Sequence, residues 1–191
     1  MRPIFLVGYM GCGKSTLGRA VSRASGIRFI DLDNYIEGRY HRTIKEIFAE
    51  KGEDGFRDVE RRMLHEDADF EDVIVACGGG TPCFFDNMEY MNEHGTSVFL
   101  DTPIEKLHSR LMLGRHKRPL IADKNAEELR QFIIEALSKR MEYNSKAQVV
   151  FSSDLLETKS EIAQTVKLFL ERFSISPINK ISESCQQENS M

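Results

Sequence analysis

The segment that most constrains this chain is Gly8-Tyr9-Met10-Gly11-Cys12-Gly13-Lys14-Ser15. Two glycines flank four residues and are followed by Lys and Ser, the pattern of a loop that wraps nucleotide phosphates. Its surroundings fit that use. Ile4 to Val7 is an apolar strand-sized run leading in, and Leu17, Ala20, Val21 and Ala24 fall at i, i+3, i+4 and i+7 of a helix that stops at Gly26. The amides of Gly11, Cys12, Gly13, Lys14, Ser15 and Thr16 then surround the phosphates, and the helix N-terminus adds a favourable dipole. Lys14 is expected on the β and γ phosphates, and the Ser15 hydroxyl on Mg²⁺. The ligand class is ATP or GTP. Guanine lacks support, because Asn179-Lys180 is not followed by the Asp that a guanine-reading motif requires.

Composition excludes other classes. Among 191 residues, 26 Lys and Arg stand against 30 Asp and Glu, a formal charge of −4, without the cationic surplus that nucleic-acid binding draws on. The longest apolar runs, such as Val73 to Cys77, fall far short of the roughly 20 residues that span a bilayer. The N-terminus has no signal-peptide pattern. A cytosolic, monomeric protein with neither nucleic-acid nor membrane partners is the expectation. Cys12, Cys77, Cys83 and Cys185 form neither a CxxC pair nor a zinc-spaced cluster and read as reduced thiols. Cys12 alone lies where loop amides and a helix end favour a reactive thiolate.

Apolar runs alternate with helical-period stretches, which predicts βαβ units and a mainly parallel sheet. Strands are expected over residues 4–7, 28–30, 73–77, 97–100 and 149–151. The roughly forty residues between the second and third strands exceed a minimal crossover. They carry two helical patterns, one opening at the capping box Thr43 to Glu46 and ending near Gly52, the next starting near Asp54 with Phe56, Val59, Met63 and Leu64 inward. Thr102 with Glu105 reads as another capping box, Pro103 as a first helical residue, and Ile104, Leu107 and Leu111 as a core face. After Gly114 comes a basic, loop-like segment, Arg115 to Pro119. Two further helices show apolar stripes, Leu129 to Leu137 and Ile162 to Phe173. From Ser174 onward the chain is polar and aperiodic, and is expected to be a disordered tail.

Several side chains along this frame suit phosphoryl transfer. Asp31-Leu32-Asp33 ends the second strand, where alternation would set both carboxylates on one side. One near Mg²⁺ and one near an attacking hydroxyl is what transfer to an alcohol requires; a helix-capping or turn role for Asp33 before Asn34 and Tyr35 is the alternative. Arg57 and Glu60 are three apart on a helix, so Glu60 can orient the guanidinium; a solvated ion pair is the alternative. Gly78-Gly79-Gly80 at the end of the third strand permits close backbone approach to a ligand, or a plain tight turn. Arg140 lies on or beside an inward helix stripe and needs an anion, either a protein carboxylate or an acidic substrate. Arg118 sits in the basic segment, which could close over a triphosphate and bring the guanidinium to the moving phosphoryl group. Arg110, Arg115 and Lys117 are weaker candidates.

Taken together, the Gly8 to Ser15 loop, Asp31-Leu32-Asp33, Phe56-Arg57 with Glu60, Gly78 to Gly80, Arg118-Pro119-Leu120, and Arg140 with Tyr143 resemble, in order and spacing, the shikimate kinase family of phosphate-loop enzymes. The likeness covers roughly residues 3–173 and implies a single domain over 1–173. It implies a three-layer α/β fold with five parallel strands in the order 2-3-1-4-5, a substrate-binding insertion near 31–62 and a lid near 111–124. ATP and shikimate are the implied substrates and Mg²⁺ the cofactor. By the same resemblance Asp31 joins Ser15 at the metal, and Asp33 binds the shikimate hydroxyls and accepts a proton. Arg57 and Arg140 grip the carboxylate beside Gly78, Gly79 and Gly80, while Lys14, Asp33 and Arg118 are catalytic. The adenine-contacting arginine falls on Arg110 or Arg115. Two other readings share part of the pattern: a different small-molecule kinase such as a gluconate kinase, and a nucleotide-dependent binding module without turnover.

Overall fold

The computed structural model describes residues 1–115 and 118–178. Its centre is strand β1 (Ile4–Val7), whose four residues are all buried. Alternation along β1 sends Ile4 and Leu6 to one face and Phe5 and Val7 to the other, and each pair joins a separate core. A strand that is apolar at every position needs cover on both sides, which a parallel sheet with helices on each face provides.

The cover comes from the crossovers. Helix α1 (Lys14–Ser25) leads to β2 (Arg28–Asp31), then α2 (Leu32–Tyr40), α3 (Ile44–Ala68) and β3 (Val73–Ala76). Next come α4 (Asn87–His94), β4 (Thr96–Asp101), α5 (Ile104–Leu113), α6 (Ala126–Asn144), β5 (Val149–Ser152) and α7 (Lys159–Arg172). All strand pairs are parallel, in the order β2-β3-β1-β4-β5. Leu17 and Val21 of α1, Leu107 and Leu111 of α5, Leu129 and Ile133 of α6, and Phe169 of α7 pack on the Ile4–Leu6 face. Leu32 and Ile36 of α2, Ile47, Phe56 and Val59 of α3, and Met88 and Met91 of α4 pack on the other. The order reverses at β1, so the crevice at its carboxyl end is where a ligand belongs in such a sheet.

Local differences from the sequence expectations have physical causes. The insertion holds one more helix than its periodicity shows, because α2 is short and only Leu32 and Ile36 are buried. Helix α4 was likewise unread; its eight residues are too few to display a period. The two inserted helical patterns are both present as the two halves of α3, broken where expected at Gly52, which has φ 69° and ψ −174°. The expected Thr102 capping box does not form. Helix α5 has Pro103 as its N-cap without side-chain capping, and the buried Thr102 hydroxyl instead pairs with Ser153 Oγ at 2.6 Å. The first residues of the expected tail are placed in the structure, where the Ile175 amide donates to Leu170 O and the Ile178 amide to Ala24 O. The remainder, 179–191, lies outside the described residues, as does Cys185.

Candidate active site

The loop after β1 and the start of α1 form the floor of a cavity of about 490 Å³. Gly8, Gly11 and Gly13 take φ values of 140°, 83° and 100°, a region that side-chain-bearing residues rarely enter, and this curls the backbone around the space in front of the helix. Lys14, Ser15 and Thr16 line the floor, with Arg110 and Arg118 on the walls. Lys14 Nζ donates to Gly8 O at 2.8 Å and Tyr9 O at 3.1 Å, so its charge is already held at the loop. Cys12 differs from its sequence expectation: at 1% exposure its side chain is part of the core under the loop, where a reagent cannot reach it. A larger apolar groove between α1 and α7, about 850 Å³, lacks every one of these groups.

Asp31 and Asp33 do come together, although not by strand alternation. Asp31 ends β2 and serves as the N-cap of α2, and Asp33 stands in the first helical turn. Asp31 Oδ2 accepts from Ser15 Oγ at 2.7 Å. A hydroxyl and a carboxylate in contact at the phosphate loop are hard oxygen donors of the kind Mg²⁺ takes, with phosphate oxygens and water completing its shell. Asp33 is the more exposed of the two. Even so, desolvation by the protein packed around the carboxyl, reinforced by the negative charges of Asp31 and Glu60 and opposed by Lys14, pushes it up from 3.8 to about 6.

The glycine triad faces these groups one residue at a time. None of Gly78, Gly79 and Gly80 has positive φ, so it is space rather than backbone freedom that they supply. A Cβ on Gly78 would lie 2.8 Å from Glu60 Oε1 and 3.3 Å from Asp33 Oδ1; one on Gly79, 3.5 Å from Arg140 Nη1; one on Gly80, 3.1 Å from Arg57 Nη2. The triad does form a tight turn, the Thr81 amide donating to Gly78 O at 3.2 Å, and this turn faces the two guanidiniums. Arg57 is 14% exposed and its partner Glu60 only 1%, with Nη1 to Oε2 at 2.9 Å, which disposes of a solvated pair. Phe84 covers the Arg57 guanidinium at 3.9 Å. At Arg140, Nη1 is buried without a hydrogen-bond partner among the described residues. Its guanidinium rests 5.0 Å from the centre of the Tyr9 ring. Tyr9, a loop residue, was not foreseen here, and its only sequence signal is an aromatic side chain beside the first loop glycine.

The expected lid is tethered by Ile121, which is wholly buried in the core beside α5 and α6. Arg118 Nη1 donates to Gly114 O at 3.1 Å and lines the nucleotide cavity. Of the two adenine-side alternatives, Arg115 turns to Lys124 O, whereas Arg110 lines the cavity. It donates to Gly11 O at 3.2 Å, Ser153 O at 2.9 Å and Glu157 Oε1 at 2.9 Å. Glu157 is 47 residues from Arg110, so nothing in the sequence pairs them. Lys117 lies outside the described residues.

The family model for shikimate kinase matches residues 10–171. A curated shikimate kinase from Phocaeicola vulgatus is 56% identical over 166 residues, covering 87% of this chain and 95% of its own length. Among solved structures, shikimate kinase from Bacteroides thetaiotaomicron is 48% identical with a TM-score of 0.87, covering 91% of this chain and 99% of its own. Shikimate kinase from Acinetobacter baumannii in complex with shikimate is 30% identical with a TM-score of 0.76, covering 95% and 96%. With the motifs, the sheet order and these relatives in agreement, the chain belongs to the shikimate kinase family.

Proposed function

We propose that this cleft transfers the γ-phosphoryl group of ATP to the 3-hydroxyl of shikimate, giving 3-phosphoshikimate and ADP. The observation that carries the reading is the pair of guanidiniums, Arg57 and Arg140, set against Gly80 and Gly79 one residue from the Asp33 carboxyl. A hydroxy acid satisfies all three. Its carboxylate pairs with the two arginines and gives the orphaned Nη1 of Arg140 a partner, while its hydroxyl meets Asp33.

On the nucleotide side, Lys14 exchanges the Gly8 and Tyr9 carbonyls for phosphate oxygens, and the loop amides from Gly11 to Thr16 take the remainder. Arg110 flanks the adenine side and Arg118 reaches the transferred group. The acceptor oxygen bonds to the γ phosphorus as the bond to the β–γ bridging oxygen breaks, and ADP leaves with that electron pair. Asp33 orients the hydroxyl and receives its proton. Mg²⁺, for which Ser15 and Asp31 are the fitting ligands, supplies charge neutralisation on the phosphates when bound. Both substrates are held by one chain, so a monomer suffices. Cys12, Cys77 and Cys83 are free thiols, the state a reducing cytosol maintains, and we place the enzyme there.

A gluconate kinase shares the loop and also acts on a hydroxy acid, but should lack the Arg57 and Gly78 to Gly80 constellation. The deciding measurement is ADP release from MgATP with shikimate, gluconate, a nucleoside monophosphate or no acceptor. Shikimate alone should stimulate release; stimulation by another acceptor and not by shikimate would overturn the reading.

A further inference from the structure

The acid-binding side of the cleft is backed by a chain of buried polar contacts that the reaction does not itself use. Glu60 Oε2 accepts from Arg57 at 2.9 Å, and its other oxygen, Oε1, accepts from the Thr81 hydroxyl at 2.6 Å. Thr81 is wholly buried, as is Asn87, whose amide donates to Thr81 O at 2.9 Å. Thr81 opens the 3-10 turn (Thr81–Cys83) directly after the glycine triad, its amide bonded back to Gly78 O. Its position is thus fixed from three directions: the turn, the start of α4 and the helix carrying Glu60.

We propose that Thr81 is a positioning residue for acid-substrate recognition, holding Glu60 so that its free oxygen presents Arg57 to the substrate carboxylate. A carboxylate has two oxygens, and at 1% exposure Glu60 has no water to satisfy the one that Arg57 leaves. Without the Thr81 hydroxyl, Oε1 is a buried acceptor with no donor, a costly state. Gly78, whose added Cβ would stand 2.8 Å from that oxygen, has no side chain to replace the donor. The carboxylate would rotate or shift towards other donors, and Arg57 would move with it. Thr81 itself touches neither substrate in this scheme.

This inference rests on the shikimate reading above, and its test separates the two. Thr81→Val removes the hydroxyl at nearly constant shape. KM for shikimate should rise on the order of tenfold, the cost of one charge-assisted hydrogen bond, with KM for ATP unchanged. Thr81→Ser should restore the shikimate KM. The carboxamide of shikimate, which lacks the anion, should show no difference in KM between the wild type and Thr81→Val. A Thr81→Val enzyme with unchanged shikimate KM, or with equal losses for shikimate, its carboxamide and ATP, would overturn the assignment. Should Thr81→Val fail to fold, Thr81→Cys, a weaker donor, takes its place with the same three readouts. An inactive wild type sinks the functional reading itself, whereas an active wild type indifferent at Thr81 sinks only this proposal.

Discussion

Asp33 is the residue whose chemistry depends most on its surroundings. Desolvation by the surrounding protein raises its carboxyl to about 6, with Asp31 and Glu60 adding to the effect and Lys14 opposing it. Below that value the group is protonated and cannot accept a proton from the substrate hydroxyl, so kcat/KM for shikimate should fall on the acid side with an apparent pKa near 6. Because neighbouring carboxylates titrate with it, the limb belongs to the cluster. Asp33→Asn should lower turnover by about 10²-fold or more and remove the limb. An unchanged acid limb in that variant would assign the titration elsewhere. The residue types were legible in the sequence, since the phosphate loop and the order Asp31, Asp33, Arg57, Arg140 point to the chemistry. The origin of the raised Asp33 carboxyl was not. Its neighbours Glu60 and Gly78 are 27 and 45 positions away, and only the folded sheet end brings them against it. Nor can a helical stripe report that Arg140 Nη1 has no hydrogen-bond partner among the described residues.

Among the elements, α3 holds the clearest conflict between propensity and geometry. Gly52 lies within a helix-forming stretch, and on propensity alone Gly52→Ala should stabilise by about 1 kcal/mol. Its backbone is at φ 69° and ψ −174°, a region essentially reserved for glycine, where a side chain costs about 1–3 kcal/mol. Nothing lies within 4 Å of an added Cβ, so crowding is not the issue and backbone strain decides the sign. Gly52→Ala should therefore destabilise, lowering Tm by roughly 2–10 °C for a chain this long. A higher Tm would mean that the kink straightens at little cost. Sequence patterns read this kink correctly as a boundary, because Gly52 interrupts two apolar phases that cannot share one straight helix. They failed on α2 and α4, where eight or nine residues bury too little to set a period. They failed too at Thr102, whose spacing to Glu105 mimics a cap while its hydroxyl is committed to Ser153 in another part of the chain. Local spacing cannot announce a partner 51 residues away.

At the scale of the whole molecule, the net charge of −4 hides a cationic sheet end, where Lys14 and Arg118 line one cavity and Arg57 and Arg140 face the glycine triad. The acidic surplus also has an interior member. Asp67 of α3 is wholly buried, and neither carboxyl oxygen has a hydrogen-bond partner among the described residues. Burial, with a further push from Glu66 that Arg28 partly offsets, raises it from 3.8 to about 7. The consequence for stability has a definite sign. Below about pH 4 both folded and unfolded chains hold this proton, and folding bears no penalty. Between pH 4 and 7 the unfolded chain releases it while the folded chain retains it, so stability falls as pH rises and levels off above 7. The full effect is on the order of 2–4 kcal/mol. Asp33 contributes a slope of the same sign up to about 6, but it is present in wild type and variant alike and cancels in their difference. Asp67→Asn, a near-isosteric neutral replacement, should therefore gain stability relative to wild type progressively from pH 4 to 7 and hold that gain above it. Urea melts of the two proteins across this range measure the difference directly. A difference independent of pH would show that Asp67 titrates alike in the folded and unfolded chains, and that the protein has found it a partner.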